Sequence, residues 1–167
     1  MREYVTDAIV LDREPSGERD FRVVLFTKLF GKIDARAKSA RNITSKLSSH
    51  LNPGAVVRVR VVEKKNRHIV DAIREGTVVS SPTSLHRLLG LLPDEVPEIE
   101  LWDMLLSGAP RWSDVLTALG WGPKSAECEL CTSTDHLLFH PRTQKFFCIN
   151  CASKLPLKEV LYIHESL

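Results

Sequence analysis

The 167-residue chain lacks any apolar run that approaches the roughly 20 residues needed to cross a bilayer. Residues 1–7 also lack the layout of a secretory signal peptide. These two absences lead us to expect a soluble, cytoplasmic protein with no membrane partner. Thiols stay reduced in that compartment, so closely spaced cysteines there indicate metal binding rather than disulfide formation.

The sequence contains no P-loop, no GxSxG and no HExxH motif, so we expect no catalytic residues and no enzymatic activity. Of the functions considered for this chain, a metal-dependent enzyme has the least support. Apolar residues make up 43% of the chain, which is enough for a packed core and argues against disorder. The length suits one ordinary domain or two small ones.

Positive and negative charges are divided unevenly along the chain. Residues 1–80 contain 16 Lys and Arg against 10 Asp and Glu, whereas residues 81–167 contain 7 against 11. The first part therefore carries +6 and the second −4, which together give the net charge of +2. A basic half joined to an acidic half suggests that the first half binds a polyanion.

Five short strands are predicted within residues 1–80, a proposed first domain. They lie at residues 8–11, 21–27, 32–38, 57–61 and 68–73. Alternation of Ile33, Ala35 and Ala37 with polar residues predicts one buried and one solvated face. A short helix is expected at residues 45–51. Five strands with a helix after the third favour an OB-fold, although an SH3-like barrel or another small β-domain would give a similar pattern.

Basic side chains cluster on the predicted solvated faces of strands three and four and in the segments that follow them. They are Lys32, Arg36, Lys38, Arg41, Lys46, Arg58 and Arg60, with Lys64, Lys65 and Arg67 at the next turn. A groove with such a lining follows a phosphate backbone through counterion release. Few aromatic side chains share this face, so we expect backbone electrostatics to dominate over base stacking.

Residues 81–167 are predicted to form a small helical domain that carries a metal motif at residues 128–151. Helices are expected at residues 85–92, with Ser84 as the N-cap, and at residues 98–106 and 114–119. The core is expected to contain Leu88, Leu92, Trp102, Trp112 and Trp121. The acidic residues Asp94, Glu95, Glu98, Glu100 and Asp103 are expected to form a solvated face.

Four cysteines form two CxxC pairs, Cys128 with Cys131 and Cys148 with Cys151, separated by 16 residues. A two-residue gap lets both thiolates of one turn reach a single tetrahedral ion. Four protein ligands leave no open coordination position, so we expect one structural Zn²⁺ per chain. An Fe–S cluster or a redox dithiol pair would use the same residue type. His136 and His140 lie nearby and are expected to be bystanders.

Several segments resemble the RecO family of recombination mediators in order and spacing. They are AIVL at residues 8–11, GERD at 17–20, LFT at 25–27, GKI at 31–33, AKSAR at 37–41 and SK at 45–46. The block VLTALGW at residues 115–121, followed by Cys128 and Cys131, is similar to that family's approach to its zinc motif.

The resemblance implies an α+β protein with an N-terminal OB-fold barrel and a helical domain that carries a zinc ribbon. It also implies DNA repair and homologous recombination: binding of single- and double-stranded DNA, annealing of complementary strands, and RecA loading with RecR on DNA coated by single-strand-binding protein. Lys38 and Arg41 fall in the family's basic barrel segment. A nucleoid-associated protein is expected on this basis. An RNA-binding or ribosome-associated protein is the alternative, because OB-folds and zinc ribbons are common there too.

Two features depart from the family pattern. Ser39 stands where the family usually has Gly. Only 47 residues, 81–127, separate the predicted barrel from the first cysteine, which indicates a short member with a reduced helical domain. In the family, the helical domain contacts the tail of single-strand-binding protein. The shortened domain therefore affects the expected binding of that partner most.

Overall fold

The computed structural model describes residues 1–40, 45–155 and 160–167. They form two compact units, Met1–Gly108 and Ala109–Leu167, in a mixed α and β protein. The sequence predicted a boundary at residues 80 and 81, whereas the structure groups the next two helices with the strands. One cause is the edge-on contact of Trp102 with Phe26, whose ring centroids are 5.8 Å apart. None of the helices in the described ranges is both long enough and apolar enough to cross a membrane.

Five strands of the first unit close into a barrel in the order β1-β2-β3-β5-β4. They are Arg2–Ser16 (β1), Asp20–Thr27 (β2), Gly31–Ala37 (β3), Ala55–Glu63 (β4) and Arg67–Thr77 (β5). The long β1 pairs with β2 through its second half and with β4 through its first half. The pair of β3 and β5 is parallel, and the other pairs are antiparallel. With the helix α1 (Lys46–His50) between β3 and β4, this is the predicted OB-fold-like arrangement.

Alternating apolar side chains fill the interior of the barrel. β3 contributes Ile33, Ala35 and Ala37, and β4 contributes Val57, Val59 and Val61. Because the side-chain period of a strand is two, the residues between them face solvent. The alternation predicted for these two strands is confirmed.

Two helices complete the first unit, α2 (Pro82–Leu91) and α3 (Ile99–Ser107). The N-cap of α2 is Ser81, whose Oγ accepts a hydrogen bond of 3.0 Å from the backbone N–H of Ser84. The prediction that Ser84 caps this helix was therefore wrong. Pro82 occupies the first helical position, where its fixed φ suits a helix and its missing N–H would have no partner in any case. The helix therefore starts earlier than predicted.

The second unit combines short helices with a three-stranded sheet in the order β7-β6-β8. Its elements are Trp112–Ala118 (α4), a 3₁₀ turn at Pro123–Ser125, Leu137–His140 (β6), Lys145–Cys148 (β7), Ile149–Ala152 (α5) and Leu161–Tyr162 (β8). Trp112 is buried, and Trp121 is half-buried against Phe139, with ring centroids 5.1 Å apart. Leu88, Leu92 and Trp102 of the first unit are also buried, as predicted.

Candidate metal centre and nucleic-acid groove

The four cysteines converge on one point of the second unit. Their sulfur atoms all lie within 4.8 Å of one another. The Sγ atoms of Cys131 and Cys148 are 3.6 Å apart. Cys128 and Cys148 are buried, Cys131 is exposed and Cys151 is half-buried. A cluster of this kind is able to hold one metal ion.

A β-hairpin brings the two CxxC pairs together. Cys148 ends β7, and Cys151 follows within the single turn of α5. The turn that carries the first pair is closed by the N–H of Thr132, which donates to Cys128 O at 2.9 Å. This turn is joined to β7 by the N–H of Glu129, which donates to Phe146 O at 3.0 Å. The hairpin of β6 and β7, the turn before it and α5 after it therefore account for the convergence of all four sulfurs.

The environment of the sulfurs favours a cation. Burial opposes ionisation of Cys128, but backbone N–H groups, among them those of Cys148 and Leu130, bond to its sulfur and lower its pKa to about 6. Hydrogen bonding with Cys131 and Cys148 raises the pKa of Cys151 to about 12. Cys128 is therefore readily ionised, whereas Cys151 resists ionisation beside the other sulfurs. A bound cation would hold all four sulfurs as thiolates.

On the barrel, the two arginines predicted to bind DNA from β4 are paired with carboxylates. Arg58 Nε lies 2.9 Å from Asp7 Oδ1 and 3.5 Å from Glu75 Oε1. Arg60 Nη1 lies 3.1 Å from Glu3 Oε1. The positive charge of this face is therefore locally balanced, which reduces its attraction for phosphate.

The sequence predicted that Lys32 lies on an open solvated face, but the structure covers most of its side chain. Its side chain is only 17% exposed, and its Nζ lies 3.1 Å from Asp94 Oδ1. The same Nζ donates to Leu89 O at 3.1 Å. The end of α2 and the segment after it cover the start of β3, which sequence patterns within the strand do not reveal.

Of the seven basic residues predicted on strands three and four and in the segment between them, three are exposed and have no ion pair with any described residue: Arg36, Lys38 and Lys46. Arg36 lies on β3, Lys38 directly after it and Lys46 on α1. Arg41, the remaining predicted contact, lies outside the residues that the structure describes. Two of these unpaired cations, Arg36 and Lys38, therefore lie together at the end of β3.

A groove of about 400 Å³ runs beside this end of β3. Its charged lining consists of Arg22, Asp34, Arg36, Glu63, Lys65 and Arg67. Asp34 pairs with Arg22, whose Nε donates to Asp34 Oδ2 at 2.6 Å. Arg36 and Lys65, in contrast, have no ion pair within the described part of the chain. In OB-folds, the β2–β3 face and the β1–β2 and β4–β5 loops bind oligonucleotides, and the groove lies in this region.

His68 is a feature of this region that the sequence analysis missed. It faces Arg36 in the parallel pair of β3 and β5. Its buried Nδ1 has no hydrogen-bond partner among the described residues. Burial, followed by the positive charges of Lys38 and Arg36, lowers the pKa of His68. Lys64 and Lys65, which the sequence placed at the turn after strand four, belong to the same region because the β4–β5 turn carries them.

Comparison with known proteins relates the first unit to one family model, and larger parts of the chain to two named proteins. Residues 1–82 match the family model described as Recombination protein O N terminal. The chain is 32% identical over 116 residues to the DNA repair protein RecO of Thermodesulfovibrio yellowstonii, which covers 62% of this chain and 46% of the relative. It is 26% identical over 192 residues to the DNA repair protein RecO of Thermoanaerobacter sp., which covers 96% of this chain and 77% of the relative. The chain thus spans under half the length of the first of these relatives.

Proposed function

Because the chain belongs to the RecO family, we propose that it serves DNA repair by homologous recombination as a DNA-binding protein without enzymatic activity. Its relatives are DNA repair proteins by name. In this proposal it binds single- and double-stranded DNA and anneals complementary strands. RecR is its partner in loading RecA onto DNA coated by single-strand-binding protein.

The observation that carries the proposal is the unbalanced positive charge around the barrel groove. Arg36 and Lys38 are exposed at the end of β3, and Lys64 and Lys65 are exposed in the β4–β5 turn. Each of these cations has no ion pair among the described residues, so each is free to replace a counterion on a phosphate. Annealing needs two like-charged strands held close together, and a concentrated positive charge reduces their repulsion.

The cysteine cluster fits a structural Zn²⁺. Zinc–thiolate bonds of about 2.3 Å place the sulfurs of a tetrahedral site about 3.8 Å apart. The separation of 3.6 Å between Cys131 and Cys148, and the limit of 4.8 Å for all pairs, agree with this geometry. In the proposal, Cys128, Cys131, Cys148 and Cys151 hold one Zn²⁺, which stabilises the second unit. No substrate would reach the metal, because four protein ligands fill a tetrahedral site.

A strand-annealing assay tests this function. Complementary labelled DNA strands, with and without single-strand-binding protein, should anneal faster when the purified chain is added. An unlabelled RNA competitor at fixed salt separates DNA from RNA binding. If RNA of the same length displaces the DNA at much lower concentration and no annealing occurs, the RNA-binding alternative replaces this proposal.

A further inference from the structure

A short acidic segment lies against the barrel beside the groove. This strap, residues 93–97, joins α2 to α3 and has the sequence PDEVP. Asp94 Oδ1 lies 3.1 Å from Lys32 Nζ, and Glu95 Oε1 lies 2.7 Å from Arg67 Nη2. The strap therefore neutralises two basic side chains of the barrel. The sequence predicted that these carboxylates form part of a solvated face.

Backbone contacts hold the strap on β3. Asp94 forms a parallel bridge with Lys32, and the N–H of Glu95 donates to Lys32 O at 3.0 Å. The backbone of Val96 lies directly over Gly31, where an added Cβ would be 2.1 Å from Val96 O. Glu95 has a φ of +59°, a conformation that costs a residue with a side chain about 1 kcal/mol or more. The docked strap thus combines specific contacts with local strain.

The strap lies at one end of the candidate nucleic-acid groove. A second depression of about 390 Å³ is lined by Lys32, Asp94 and Glu95. It shares Arg22, Asp34 and Arg67 with the groove that contains Arg36 and Lys65. A nucleic-acid backbone that continues along the groove from Arg36 would therefore meet the two carboxylates before it could reach Lys32. Arg67 lines both depressions, and its Nη2 is already paired with Glu95.

We propose that the strap competes with nucleic-acid phosphates for Lys32 and Arg67, and that its displacement extends the binding groove. This inference rests on the proposed function. The carboxylates that make the competing contacts are exposed, 83% for Asp94 and 60% for Glu95, and solvent weakens such ion pairs. Arg67 keeps a second partner, Glu63, whose Oε1 lies 3.0 Å from Arg67 Nε, while Nη2 becomes available. A phosphate backbone would thus displace weak contacts and gain two cations.

A matched pair of neutralised variants tests the inference. The strap variant is Asp94→Asn with Glu95→Gln, and the control is Glu98→Gln with Glu100→Gln. Both remove two negative charges from one stretch of chain, but Glu98 and Glu100 make no ion pair with any described residue. The strap variant should bind a labelled single strand about tenfold more tightly than the control. Two further phosphate contacts should steepen its log–log salt slope by about 1.4.

A double-mutant cycle identifies the cation that is released. Lys32→Gln should change affinity by less than about twofold in the parent chain, because the strap already occupies Lys32. In the strap variant, Lys32→Gln should lower the affinity for the single strand about threefold. Equal affinities and slopes for the strap variant and the control, with the parent binding DNA, would overturn the strap inference alone. Failure of the parent and every variant to bind DNA would overturn the proposed function as well.

Discussion

Arg36 on β3 lies directly opposite His68 on β5, in the parallel pair that closes the barrel. The arginine is exposed, whereas the imidazole Nδ1 is buried and has no hydrogen-bond partner among the described residues. The charged groups near this imidazole are Lys38, Arg36, Lys64 and Asp20, three of which are positive. A neutral imidazole is therefore held beside the proposed phosphate-binding residues.

We expect His68 to make stability fall in mild acid. Burial and the nearby cations lower its pKa in the folded chain below the ordinary value of 6.5. The unfolded chain then takes up the proton first, so the free energy of unfolding decreases as pH falls through about 6.5 and levels off below the folded pKa. Urea unfolding of the parent chain and of His68→Gln, measured at pH values above and below 6.5, checks this prediction. Parallel pH profiles for the two proteins would contradict the prediction.

DNA binding should raise the pKa of His68, whereas burial and the nearby cations lower it. Phosphates beside Lys38 and Arg36 offset the positive charge that disfavours protonation, so binding should raise the pKa of His68 and take up a proton. The affinity of the parent for a single strand should therefore increase from about pH 7.5 to about pH 6 more than that of His68→Gln. Fluorescence anisotropy at constant ionic strength measures the difference, and its absence would place phosphate away from His68.

Replacing Cys148 with Ser should remove zinc and unfold the second unit. Metal binding and folding are coupled in small thiolate sites, because the ligands are not preorganised in the unfolded chain. The barrel should remain folded, since its core cluster contains no residue of the second unit. Elemental analysis should find one zinc per parent chain and none in the variant, and amide hydrogen exchange should show protection restricted to the first unit.

His136→Asn is the matched control for the cysteine change. His136 O accepts a hydrogen bond of 3.1 Å from the N–H of Ile149, the residue after Cys148. Its φ of +48° is one that asparagine tolerates, and it donates no ligand in the proposed site. Full zinc content in this variant is expected. A parent protein without zinc, or one coloured by an Fe–S cluster, would contradict the proposed metal.

Ser39→Gly should stabilise the barrel. Ser39 has a φ of +53°, in the left-handed region that favours glycine. Relief of about 1–2 kcal/mol of backbone strain is partly offset by the greater entropy of glycine in the unfolded chain. Thermal unfolding should show a net gain of up to about 1 kcal/mol, whereas Ser39→Ala, which keeps the strain, should show none.

Regular alternation made the barrel predictable. Val57, Val59 and Val61 alternate with arginines, and the buried and exposed faces of β4 follow directly from that period. The first strand was predicted only at residues 8–11, although β1 runs from Arg2 to Ser16. Its ends are rich in charged residues and gain their place through pairing with β2 and β4, which the local sequence does not encode.

The sequence predicted the residues of the candidate metal site more completely than those of the basic groove. Cysteine spacing alone identified all four members of the candidate metal cluster, because the ligands lie in two short turns close together in the sequence, on either side of one hairpin. The basic groove depends on partners far along the chain: Asp94 neutralises Lys32, and Asp7 neutralises Arg58. Counting cations along strands could not separate these paired residues from Arg36 and Lys38.

The most direct test of the account compares two variants with equal charge changes on the barrel. Arg36→Gln with Lys38→Gln removes unpaired cations, and Arg58→Gln with Arg60→Gln removes cations that are already paired. Anisotropy of a labelled single strand, titrated over a range of salt concentrations, should show that the first variant loses about tenfold or more in affinity. Its salt slope should fall by about 1.4, while the second variant stays close to the parent. Equal losses in the two variants, or a loss confined to the β4 variant, would contradict the assignment of DNA binding to the groove at the end of β3.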